Sequence, residues 1–96
     1  HPYHDPNCRQ RAAEMRKNGA SLKRISQDVL GLQRTTKVSR AWIKEVVEEY
    51  DILELHNQGY FPPGIEKQLY GTNGGEKLPF IRETIAKYQR PAVNES

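Results

Sequence analysis

RTTKVSR, residues 34–40, packs three cations and three hydroxyls into seven positions. Arg34, Thr35, Thr36, Lys37, Ser39 and Arg40, with Lys44 about a turn later, are the residue types that read and grip a nucleic acid. A guanidinium donates two bonds to a guanine edge, a threonine bonds a base edge or meets a thymine methyl, and a lysine neutralises phosphate. Lys23 and Arg24 are spaced to reach phosphates. Arg9 and Arg11 stand ahead of the first apolar stripe, where basic arms run along a backbone or enter a minor groove. A single Lys or Arg is ordinarily solvated surface. From Lys23 to Lys44, however, six basic residues face Asp28 alone, and that clustering makes a local positive field.

Other chemistry finds less support. HPYHDPNC supplies His1, His4, Asp5 and Cys8, which are zinc-ligand types, but a closed zinc site needs four ligands, so a distant group such as His56 would have to join them. Two prolines and the terminal position fit a poorly ordered leader better, and neither metal nor cofactor is expected. No Ser/His/Asp or Cys/His grouping, phosphate loop or carboxylate pair on a basic cleft suggests catalysis. The chain is therefore expected not to be an enzyme.

The totals suit a soluble globular chain. Of 96 residues, 35% are apolar and 28% charged, with a net charge of +3. No apolar run approaches the roughly 20 residues that span a bilayer. One cysteine forms no internal disulfide. The chain starts at His1 with no signal-like apolar segment, as expected for a piece of a longer intracellular protein. Charge is uneven: residues 1–44 hold ten basic against three acidic side chains, a net +7, and residues 45–96 hold five against nine, a net −4. Such a split suits one half facing a polyanion.

These side chains must be held by elements, and the chain spells its elements twice. WIKEVVEEY at 42–50 is echoed by FIRETIAKY at 80–88, 38 residues on. Upstream the offset is 40, pairing Glu14 with Glu54, Gly19 with Gly59, Ile25 with Ile65 and Gly31 with Gly71. The first copy thus carries two extra residues between Gly31 and Trp42, expected in a loop. Each copy reads as three helices. Gly19 ends the first, Ser21 caps the second and Gly31 closes it, and a third begins between Thr35 and Ser39 with Trp42, Ile43, Val46, Val47 and Tyr50 on one stripe. In the second copy Pro62 and Pro63 start a helix, TNGGE is loop, and the last helix runs to Arg90, where Pro91 is expected to stop it. From Arg40 to Gln58 there is neither Gly nor Pro, so that segment is one long helix or two joined near Asp51. Trp42, Phe80, Tyr50 and Tyr88 read as core rather than base-stacking residues. Tyr60 and Phe61 also read as plugs between helices rather than as an interaction patch.

Helix, Gly, second helix with I-x3-[VL], Gly, third helix resembles a helix-turn-helix unit. ILELHNQGYFPPGIEKQLYG looks like the first two helices of the paired and transposase types, in which tandem units are common. The resemblance spans residues 9–89. It implies an all-α chain of two tandem three-helix units packed as one compact domain: a leader over 1–8, units over 9–50 and 51–90, and a tail over 91–96. It also implies a double-stranded DNA-binding module of a transcription regulator or mobile-element protein, with the first unit dominant, acting in a nucleus or a bacterial nucleoid. In the family the turn before the third helix has about three residues; here the third helix starts earlier than the echo, or both turns are enlarged. An all-helical adaptor or oligomerisation domain that grips a protein, through the acidic second unit in particular, is the alternative.

Overall fold

The computed structural model describes residues 2–93, with side chains through Tyr88; His1 and residues 94–96 lie outside the described residues. The described chain is all-helical: α1 Pro6–Lys17, α2 Leu22–Leu30, α3 Lys37–Asn57, α4 Pro62–Tyr70 and α5 Leu78–Val93. By its contacts the chain divides into two compact units, His1–Tyr50 and Asp51–Ser96. Residues 40–58 are thus one helix to Asn57, crossing that boundary unbroken.

Local chemistry sets the helix ends. Asp5 accepts the amide of Asn7 at 2.8 Å and caps α1, with Pro6 in the first turn where a missing donor costs nothing. Helix α1 therefore takes in Pro6, Asn7 and Cys8, which the sequence alone assigns to a leader. Ser21 accepts the amide of Arg24 at 3.1 Å and caps α2. Gly31 and Gly71 end α2 and α4 in the left-handed region, at φ 72° and 71°, a conformation costly for any residue with a Cβ. Helix α5 continues through Pro91 to Val93, a correction to the expected stop. Proline lacks the amide donor, yet its φ is already helical.

Each unit folds around its own apolar cluster. In the first, Ala12, Ala13, Ile25, Trp42, Ile43 and Val46 are buried. In the second, Ile52, Ile65 and Ile81 are buried at the positions matching Ala12, Ile25 and Ile43. Two of those isoleucines pair with isoleucine. At the remaining pair the first unit has the smaller Ala12, and its cluster includes the larger Trp42 where the second has Phe80. Tyr50 and Tyr88 are half-buried and Phe80 packs on the second cluster, as helical stripes of this kind predict.

The duplicated helices are not the same length. Helix α3 begins five residues before Trp42, but α5 begins only two before the matching Phe80. The loops 31–36 and 71–77 have six and seven residues. The two extra residues of the first copy therefore do not enlarge a loop, as expected, but extend α3 at its N-terminal end. The third helix of the first unit starts well ahead of the echo, and both turns remain longer than the family's three residues.

Candidate nucleic-acid interface

The added turn of α3 is anchored by hydroxyls. Thr36 and Ser39 cap it reciprocally: Ser39 Oγ accepts the amide of Thr36 at 2.9 Å, and Thr36 Oγ1 accepts the amide of Ser39 at 3.0 Å. Ser39 Oγ also donates to the carbonyl of Thr36 at 3.0 Å and accepts from Ser26 Oγ at 3.1 Å, a bond that ties α2 to the start of α3. Ser26 and Ser39 are both fully buried. Ser39 is thus a structural residue, a correction to its place among base-reading side chains. Its hydroxyl is saturated inside the protein.

Around that anchor the cations face water. Lys23, Arg24, Arg34, Lys37, Arg40 and Lys44 are all exposed, as is Thr36, while Thr35 is half-buried. Lys37, Arg40 and Lys44 fall three and four residues apart, on one side of α3. Arg24 shares its charge with Asp28 at 3.3 Å across one turn of α2. Both partners are solvated, so the pair is weak and yields readily to a stronger anion. Val38, 64% exposed between Lys37 and the capping Ser39, is an apolar side chain in the same turn. It lies four residues ahead of Trp42, in the turn that starts α3.

Arg9 and Arg11 do not form an arm. Both lie within α1. Arg9 is 7% exposed: its guanidinium donates to Glu49 at 3.1 Å, to Glu45 at 2.8 Å and to the carbonyl of Tyr3 at 2.6 Å. That carbonyl also accepts Trp42 Nε1 at 3.1 Å, and the Tyr3 ring meets Trp42 edge-on with centroids 5.6 Å apart. The segment expected to be a loose leader thus closes the first core, because a buried guanidinium needs carboxylates and carbonyls to replace water. Arg11 is exposed on the outer side of α1.

The second unit solves the same anchoring problem with a charge. Glu66, which matches Ser26, is 1% exposed and accepts the amides of Gly75 at 3.1 Å and Lys77 at 3.0 Å, at the start of α5. A carboxylate there is favoured by the helix dipole. Tyr60 packs on the second core and accepts a bond from Gln68, but Phe61 is 78% exposed, a correction to its reading as a core plug.

Beside the basic face, a groove of about 320 Å³ in the first unit has Leu22, Ile43 and Val47 as its floor, with Arg16, Arg40, Lys44 and Glu48 at its edge. Among the described residues, no group of three or more His, Cys, Asp or Glu side chains is placed to hold a metal ion, and no helix is long and apolar enough to cross a membrane. His1, one of the zinc-ligand types, lies outside the described residues. No family model, curated protein or solved structure matches the chain.

Proposed function

We propose that this chain is a double-stranded DNA-binding module of the tandem helix-turn-helix type, belonging to a transcription regulator or mobile-element protein, with the first unit dominant. The observation that carries the reading is the added N-terminal turn of α3. It is held to α2 by buried hydroxyls and presents Lys37, Val38 and Arg40 to solvent, with Lys44 one turn on. In this reading Arg40 and Lys37 approach base edges, Val38 meets a thymine methyl, and Lys23, Arg24, Arg34 and Lys44 hold phosphates. The second unit lacks both the added turn and a comparable cluster of cations. Such a protein would act in a nucleus or a nucleoid.

Titration of duplex binding against salt tests this. If the six exposed cations each neutralise one phosphate, log affinity falls against log salt with a slope of about −5. Lys37→Ala lowers that slope by about 1, and Arg40→Ala costs about 1–3 kcal/mol on a preferred sequence, whereas Arg82→Ala changes little. Absence of duplex binding at low salt refutes the proposal.

A further inference from the structure

Phe61 stands where the repeat elsewhere has a helix cap. It matches Ser21, whose hydroxyl accepts an amide of α2, and as the N-cap of α4 it makes no side-chain bond. The ring is also 78% exposed, although residues 55–65 contain no Asp, Glu, Lys or Arg in a chain that is 28% charged. A phenylalanine here gives up a cap and leaves an aromatic ring in water, two costs to the isolated chain. Ile65 of that stretch is fully buried and Leu55 and Tyr60 pack on the core, so its exposed part is Asn57, Gln58, Gly59, Phe61 and Pro63, one aromatic anchor amid uncharged groups, which is the composition of an interface core.

The groove on the first unit has the complementary chemistry. Its floor of Leu22, Ile43 and Val47 is aliphatic, its volume of about 320 Å³ admits a phenyl ring, and at the edge three cations, Arg16, Arg40 and Lys44, outnumber the single carboxylate of Glu48, which suits the ring's negative face. We propose that Phe61 of one copy seats in this groove of a second copy, joining molecules head to tail. Charge decides the polarity. Residues 1–50 hold ten basic against six acidic side chains, a net +4, and residues 51–96 hold five against six, a net −1. Contact between two first units sets +4 against +4, whereas first unit to second sets +4 against −1. A contact between different surfaces of identical chains closes a ring or extends as a filament.

The test is sedimentation equilibrium of the whole chain, without DNA, over a micromolar-to-millimolar series. The wild-type chain associates, and Phe61→Ser raises the dissociation constant by about thirtyfold or more. Because serine restores the cap, the same variant melts several degrees higher, which separates a lost contact from a damaged fold. Leu22→Glu, at the first position of α2 where an acid suits the helix, charges the groove floor and also abolishes association, with circular dichroism verifying the fold. If it fails to fold, Val47→Lys blocks the same floor. Neither Phe61→Ser nor the groove variant associates alone, but mixed they form a one-to-one complex, since one keeps its groove and the other its ring. A wild-type chain that stays monomeric throughout, or a mixture that does, overturns the proposal; so does a Phe61→Ser chain that associates like wild type.

Discussion

A helix turns about 100° per residue, so Arg9 and Arg11, two positions apart on α1, face nearly opposite ways. Arg9 points inward to Glu45, Glu49 and the Tyr3 carbonyl, and Arg11 points to water. Arg9→Ala removes the guanidinium that pairs with the almost wholly buried Glu49 and with the Tyr3 carbonyl, and is expected to lower stability by about 3–5 kcal/mol, read from urea unfolding. Arg11→Ala should stay within about 0.5 kcal/mol of wild type. A stability loss at Arg11 equal to that at Arg9 would contradict the assignment. Of the basic and hydroxyl residues singled out in the sequence, the solvent-facing cations were legible because charge seldom hides without a partner. Arg9 was not, because its partners lie 36 and 40 residues away and no local pattern announces them. Ser39 deceived for the opposite reason: a hydroxyl that caps a helix and one that reads a base look identical in a string of letters.

Between elements, both units tie their second helix to the start of their third, by Ser26 in one and Glu66 in the other. The consequences of loss differ. Ser39 keeps its bonds to Thr36 when Ser26 is gone, so Ser26→Ala should cost only about 1 kcal/mol. Glu66→Ala orphans two amides at the start of α5 and removes a charge-assisted interaction, which predicts a loss nearer 2–4 kcal/mol. Thermal unfolding of the two variants side by side measures the difference, and equal losses would contradict it. Helix existence was legible throughout, since glycine stops, a serine cap and apolar stripes agree. The role of Glu66 was not legible, because an acid in a solvated helix face has the same spelling. Nor was the destination of the two extra residues, because an insertion between a glycine and an apolar stripe can lengthen either the loop or the helix that follows.

For the molecule as a whole, the two proposals meet at Arg40 and Lys44, which edge the groove and also belong to the basic face. A short duplex that occupies those cations should therefore dissociate head-to-tail assemblies, and Phe61→Ser should bind the same duplex at least as tightly as wild type. Sedimentation with labelled duplex reads both, and assemblies that persist at saturating DNA would separate the two surfaces. Rising salt should loosen the DNA complex steeply and the seat of Phe61 far less, since its anchor is apolar and only the weaker edge charges are screened. The all-helical character was readable, and buried positions such as Ile25 and Ile65 or Ile43 and Ile81 recur at the offsets the sequence shows; the exposed ring at Phe61 was not, since aromatic residues between helices usually fill space. Helix α3 bears on how the molecule can be dissected. The contact boundary at Tyr50 falls inside an unbroken run of helical backbone bonds. A fragment cut there leaves four terminal carbonyls without partners, and its complement begins in mid-helix with no cap for its first amides. Gene fragments meant to isolate one unit should therefore share α3 entire, each carrying the helix through Asn57 or from Lys37.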